Sequence, residues 1–235
     1  MSKKYIGKQC VYCVEAVATT ADHVISREFF LKHRRANAPK VAACARCNNE
    51  KSELEHYLTV VLALGGRHPD AKINLDTMVL KRLQKNAALH RELLAGFEES
   101  GGTALPIDHV RVEKLFALIA RGLAWYHWNV LLGPGYSAVA ALFSDEGAPF
   151  FDQMLLSWGT PHRMSIDLGN GTFKYYGAQA TDCPQMTIWR FWMLGGVLLG
   201  GDPNVPGPSS LAIAITGPDA LIQRLASTTL RRDNP

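Results

Sequence analysis

The spacing of apolar positions changes along this chain, and the changes mark its elements. Leu54, Tyr57, Leu58, Val61 and Leu62 recur at helical intervals, predicting a helix from near Asn48 to Leu64 that ends at Gly65-Gly66. A second helix is predicted from an Asp76 cap through Met78, Leu80, Leu83, Ala87, Leu89, Leu93 and Leu94 to Gly101-Gly102. A third follows Pro106-Ile107-Asp108, carries Val110, Leu115, Phe116, Leu118, Ile119, Leu123, Ala124 and Tyr126, and ends near Gly133-Pro134-Gly135. Its apolar face is wide enough to lie in a helical core. The period then shortens. Arg163–Leu168 and Thr172–Tyr176 flank Gly169-Asn170-Gly171, a hairpin signal. Thr187–Leu194, Val197–Leu199 and Leu211–Thr216 also read as strands, Pro218–Leu225 as a short closing helix, and 226–235 as a frayed tail.

The aromatic group Trp125-Tyr126-His127-Trp128 sits within an apolar helix, where such side chains fill the core more often than they stack on bases. Trp189, Phe191 and Trp192 read the same way. Gly195-Gly196 and Gly200-Gly201 lack the strand-GxGxxG-helix context of a nucleotide fingerprint and read as turns.

Residues 1–50 are too short to bury a large core, so a bound metal is expected to stabilise them. The fold class that follows is α+β, with a metal-stapled N-terminal module, a helical middle and a small β-rich C-terminal part. The divisions expected are 1–65, an accessory region 66–225 and the tail 226–235.

Composition narrows the class. Apolar residues make up 47% of the 235 and charged ones 20%, the usual balance of a globular chain. The longest apolar run, Phe191–Leu199, is far short of the roughly 20 residues of a membrane helix and contains two glycines. No apolar stretch follows Met1–Tyr5, so neither a secretory leader nor a membrane partner is expected, and the location expected is cytoplasmic. The net charge of +4 is concentrated: residues 1–60 hold ten Lys/Arg against six acids, and the remainder balances. A basic quarter of this kind suits a polyanion.

Four of the five cysteines form two pairs, Cys10-x-x-Cys13 and Cys44-x-x-Cys47, and Cys183 is left as a free, partly buried thiol. Two such turns close a tetrahedron of soft ligands around one zinc ion and leave no position for water, so the zinc expected here is structural. Between the pairs lies Asp22-His23, and directly after the second comes Asn48, at the first turn of the predicted helix. The helix N-terminus adds backbone N–H groups that favour a phosphate. The chemistry that fits is phosphodiester hydrolysis. Asp22 and the Asn48 side-chain oxygen are expected to hold a hard divalent ion, Mg²⁺ or Mn²⁺, and His23 to take the proton of the attacking water.

The stretch from Cys10 to Ser52, about a fifth of the chain, resembles the HNH endonucleases of the ββα-metal fold, in the subclass with two zinc-binding CxxC knuckles. The matching words are Cys10-Val11-Tyr12-Cys13, Asp22-His23-Val24-Ile25 and Val41-Ala42-Ala43-Cys44-Ala45-Arg46-Cys47-Asn48-Asn49-Glu50-Lys51-Ser52. The resemblance implies His23 as general base, Asp22 and Asn48 as ligands of the catalytic ion, the four cysteines as the structural zinc site, and Lys51 as the family's lysine. The family's middle asparagine falls on Pro39, with Asn37 two residues earlier, and Ser26 stands where a proline is common.

The loop beside this constellation carries Arg27, Lys32, His33, Arg34, Arg35 and Lys40, which with Lys51 are the nucleic-acid contacts expected; a solvated basic loop is the alternative. Glu53, Glu55 and His56 read as an exposed helix face. The function expected is a metal-dependent endonuclease acting on DNA before RNA, with a regulatory protein partner or trigger to restrain an open site. The competing reading is a non-catalytic, zinc-stabilised nucleic-acid-binding or protein-docking module.

Overall fold

The computed structural model describes residues 4–35, 38–99, 107–143, 153, 155, 162–196 and 211–230. It is mixed helix and sheet, in agreement with an α+β chain. Strands β1 (Thr20–His23) and β2 (Lys40–Ala43) form an antiparallel hairpin in which Asp22 faces Val41 and His23 faces Lys40. The pairing continues one step further, because Val24 N–H donates to the Pro39 carbonyl at 2.8 Å. Helix α1 (Ala45–Gly65) follows β2 with Cys44 as its N-cap.

Next come α2 (Pro69–Asn74), a widened π turn (Leu75–Val79), α3 (Leu80–Lys85) and α4 (Ala87–Glu99). One helix was expected here from an Asp76 cap, and the structure corrects that. Asp76 lies inside the π turn, and the cap is His68, whose ring accepts the Asp70 N–H with Pro69 at the first helical position. Asn86 then interrupts the run, and its Oδ1 accepts the Leu89 N–H at 3.1 Å and starts α4.

Helix α5 (His109–Trp128) is the centre of the molecule. Asp108 caps its start, as the sequence suggests. It stops at Asn129, which adopts the left-handed conformation (φ 55°) and returns its N–H to the Ala124 and Trp125 carbonyls, four residues before the expected glycines. Leu115, Ile119 and Leu123 are fully buried on it, and Phe116 meets Phe191 at 5.0 Å between ring centroids.

Among the described residues, five strands make the second sheet: β3 (Tyr136–Phe143), β4 (Arg163–Leu168), β5 (Phe173–Gln179), β6 (Thr187–Met193) and β7 (Leu211–Pro218). All neighbours are antiparallel, in the order β3-β7-β6-β5-β4. The β4–β5 hairpin turns at Gly169-Asn170-Gly171, three consecutive residues of positive φ, as expected. The expected strand at 197–199 and the glycines at 200–201 lie outside the described residues. Helix α6 (Asp219–Leu230) extends past the expected boundary at 225, so 226–230 continue a helix.

Helix α5 packs against β3 and β7 on one side and against α1 and β2 on another. One hydrophobic cluster therefore runs from Tyr5 and Val24 through Leu58 and Leu123 to Trp189 and Ala214. Packing continues across the division expected at 65–66. Gly122 is what lets α5 approach: a Cβ there would sit 2.8 Å from a methyl of Val24, the residue after His23. No helix among the described residues is long and apolar enough to cross a membrane.

Candidate functional site

Both CxxC turns are held by backbone before any metal is considered. Cys10 N–H donates to the Ala16 carbonyl at 2.8 Å, and Val14 N–H to the Cys10 carbonyl at 2.9 Å, which closes a knuckle. Val11 N–H reaches the Ala42 carbonyl at 2.9 Å and fixes that knuckle to β2. The second pair occupies the cap and first turn of α1, where Cys44 Sγ accepts the Cys47 N–H at 3.5 Å. The four thiol sulfurs come within 4.8 Å of one another, and Cys10, Cys44 and Cys47 are buried. Four soft donors at this separation could hold one tetrahedral ion with no ligand position left for water. Cys183 stands apart, half-buried beside Gln185.

Asp22 and His23 are adjacent on β1, so their side chains leave opposite faces. Asp22 turns toward α1. Its Oδ2 accepts a hydrogen bond from Tyr12 Oη at 2.5 Å and an ion pair from Lys51 Nζ at 3.0 Å. Its Oδ1 has no hydrogen-bond partner among the described residues. Burial, and next the Asp22 charge, push the Tyr12 phenol well above its ordinary range, so it stays a donor.

Lys51 is placed differently from the sequence expectation. Its side chain is 0% exposed, so it is not a nucleic-acid contact. Nζ binds the His23 carbonyl at 2.8 Å, Asp22 and Glu55, joining the hairpin to α1. Glu55 is corrected too: it is drawn inward to Lys51 instead of lying on an exposed face. Burial raises its carboxyl to about 7 against the opposing pull of Lys51. Ser26, where a proline was the expectation, caps the turn Arg27–Phe29 by accepting the Glu28 N–H at 3.3 Å. It also hydrogen-bonds Glu55.

His23 opens on the other face into a cleft of about 400 Å³ that it shares with Arg27, Arg35, Ala38 and Lys40. Burial, then Lys40 and Arg27, hold its imidazole down from 6.5 to about 4, with Asp22 opposing. The ring is therefore neutral at pH 7.

Comparison with family models, curated proteins and solved structures finds no match for this chain.

Asn48 lies in the first turn of α1, half-buried, with its N–H on the Cys44 carbonyl at 3.0 Å. It is one turn before Lys51 on the same side of the helix. No hydrogen bond links its side chain to Asp22 or His23, and its amide has no protein partner among the described residues. Asp22 Oδ1 and the Asn48 side-chain oxygen, the donor type that a hard divalent ion takes, thus both have no protein partner among the described residues. Pro39 contributes its carbonyl to the hairpin, and Asn37 lies outside the described residues.

The basic loop divides into two groups. Arg34 is a tether: it pairs with the buried Asp70 at 3.0 Å and reaches the Gly169 carbonyl at 3.4 Å. Asp70 also accepts from Thr172 Oγ1 at 3.0 Å, so the loop is clasped to the β4–β5 turn. Arg35 donates to the Phe30 carbonyl at 3.2 Å and pairs with Glu28, leaving part of its side chain on the cleft. Arg27, Lys32 and Lys40 are exposed. Of the contacts expected from sequence, Arg27, Arg35 and Lys40 border the His23 cleft, whereas Arg34 and Lys51 hold the fold.

Tyr12 and Glu55 went unrecognised in the sequence. The available signal for Glu55 was its i,i+4 spacing from Lys51. Tyr12 had only its place inside the first CxxC.

Proposed function

We propose that this chain is a metal-dependent endonuclease of the HNH type, cleaving phosphodiester bonds of nucleic acid, DNA before RNA. The observation that carries the reading is His23: a neutral imidazole in a cleft edged by Arg27, Arg35 and Lys40, on a hairpin stapled to a helix by four cysteines. The cationic rim suits a phosphate, and a base among cations suits removal of a proton from water beside that phosphate.

We assign zinc to Cys10, Cys13, Cys44 and Cys47 as a structural ion. Asp22 and Asn48 are the residues that would hold Mg²⁺ or Mn²⁺, which when bound supplies stabilisation for the charge developing on the phosphoryl and leaving oxygens. Tyr12 and Lys51 fix the Asp22 carboxylate through Oδ2 and leave Oδ1 open. Arg27, Arg35 and Lys40 orient the phosphate, and His23 accepts the water proton. A regulatory protein partner or trigger belongs to the same proposal.

Incubation with supercoiled plasmid and Mg²⁺ or Mn²⁺ is the test. Wild type is expected to nick, and His23→Ala to lose about 10² to 10⁴ in rate, the usual share of a general base. With His23 at about 4, the rate should change little from pH 8 down to pH 5 and fall below that as the imidazole takes up its proton. Equal rates for wild type and His23→Ala would remove the assignment. Binding without cleavage under either metal would favour the non-catalytic module.

A further inference from the structure

The aromatic group at the end of α5 does not lie wholly in the core. Trp189 and Phe191 beneath it are fully buried, as expected, but Tyr126 is 46% exposed and Trp125 and Trp128 are half-buried. They wall a separate cleft of about 580 Å³, which shares no residue with the His23 cleft. We propose that this cleft binds a nucleobase, with the phosphate that it carries resting on Lys4 and Lys8.

The cleft is built for a flat ring. Its aromatic walls pack on one another and on the core. Trp128 packs on Trp189 at 4.9 Å, His127 meets Tyr126 edge-on at 4.8 Å, and Trp125 lies 6.4 Å from Tyr5. A base stacking on such surfaces gains from any of the four base types, since each has a π face.

Polar groups for the base edge are also present. Gln179 is 94% buried by its 6% exposure, and its Nε2 is fixed on the Pro184 carbonyl at 2.9 Å. Gln179 lines the cleft, and its Oε1 accepts no protein hydrogen bond among the described residues. Asn129, exposed at the helix end, supplies an amide on the same rim. His127 Nε2 is paired with Tyr175 Oη at 3.0 Å, which fixes the ring. Burial keeps it uncharged at neutral pH, at about 4, so it can hydrogen-bond a neutral edge.

Charge decides the class of ligand. A cage of tryptophan and tyrosine would also suit a quaternary ammonium group. Here two of the rings already face a cation: Lys4 Nζ lies 5.5 Å from the Tyr5 ring centre and Lys8 Nζ 6.0 Å from that of Trp125. A further cation would be repelled, whereas a ring carrying a phosphate satisfies both features. The same chemistry is offered by a free mononucleotide and by an unpaired nucleotide of a strand. The inference does not depend on nuclease activity.

Tryptophan fluorescence of the full chain, without added divalent ion, tests it directly. The probes are the four ribonucleoside 5′-monophosphates, a ten-nucleotide single strand of mixed sequence, and ribose 5-phosphate as the baseless control. Saturable quenching is expected from a mononucleotide, from the strand, or from both, but not from ribose 5-phosphate. A mononucleotide response alone identifies a small-molecule pocket, and a strand response alone identifies capture of an unpaired base. Tyr126→Ala, at an exposed position, should weaken binding roughly tenfold to a hundredfold, the worth of a base–aromatic stack, and Tyr126→Phe should restore it. Equal responses to ribose 5-phosphate and the nucleotides, no saturation by any probe, or unchanged affinity in Tyr126→Ala would each overturn the proposal.

Discussion

Chelating the metal from the four cysteines is expected to lower the unfolding temperature by about 10 °C or more, with residues 10–24 and 40–50 losing hydrogen-exchange protection first. The reason is that the ligands sit beside short elements. Strands β1 and β2 are four residues each, and a lone two-stranded hairpin is marginal in water. Structural zinc contributes on the order of 10 kcal/mol in small zinc-dependent units. If half of that is expressed here, the loss is about 5 kcal/mol, worth roughly 10–20 °C in a chain of this size. Helix α5 and the five-stranded sheet carry none of the four cysteines, so most of their secondary-structure signal should survive mild chelation. Cys44→Ser separates two roles of one side chain. Cys44 Sγ caps α1, and serine is a good cap, so the variant keeps that bond and loses only a metal ligand. It should match the chelated wild type. Below half an equivalent of zinc in purified protein, together with no shift on chelation, would remove the staple.

How far the sequence could be read depends on whether a contact is local. The cysteines were legible because CxxC spacing is itself ligand geometry: each pair closes within one turn, whatever the rest of the chain does. The β4–β5 turn was legible from Gly169-Asn170-Gly171, whose positive φ values few other residues tolerate. The core of α5 followed from its apolar period. Strand β3 was not legible, since Ser137-Ala138-Val139-Ala140-Ala141 shows no alternation; it is placed by pairing with β7 and packing under α5.

The candidate site divides in the same way. Asp22, His23 and Asn48 were found as a word in the sequence, and their neighbours were not. Arg34 and Lys51 looked like free cations because their partners are remote: Asp70 lies 36 residues from Arg34, and Lys51 meets Asp22 only after the hairpin has folded onto α1. Pairing with those remote partners then changed the meaning of both side chains, from phosphate contacts to ties. The strand alternation that sends Asp22 inward and His23 outward gives the two faces opposite electrostatic characters. One is a part-buried network of an ammonium and two carboxyls in which Asp22 keeps one oxygen open, and the other is an open cleft ringed by cations.

That network, built on the fully buried Lys51, makes Lys51→Met the most damaging single change expected outside the cysteines, at about 3–5 kcal/mol, the usual cost of removing one partner from a buried ion pair. Methionine keeps the volume, so the loss is electrostatic. Asp22 would keep Tyr12 alone, and Glu55 would keep Ser26. The deficit should depend on pH in a definite direction. Glu55 already sits at about 7 in the folded state, against 4.5 for an ordinary glutamate, so the folded chain binds that proton more tightly. Its burial therefore costs stability above pH 7 and ceases to do so as pH falls toward 4.5. Without Lys51, whose charge pulls Glu55 down, protonation begins higher still, and the variant should recover part of its deficit on acidification. Urea unfolding at pH 8 and pH 5.5 measures this, with the larger difference from wild type expected at pH 8. Glu55→Gln removes one of the stranded charges, so the double variant Lys51→Met/Glu55→Gln should be more stable than Lys51→Met at pH 8 by about 1–3 kcal/mol, the coupling usual for residues in one network. A Lys51→Met protein as stable as wild type at pH 8 would mean that Asp22 and Glu55 are held by the fold without it, and the hairpin would then owe its position to the cysteines and to Gly122 against Val24 alone.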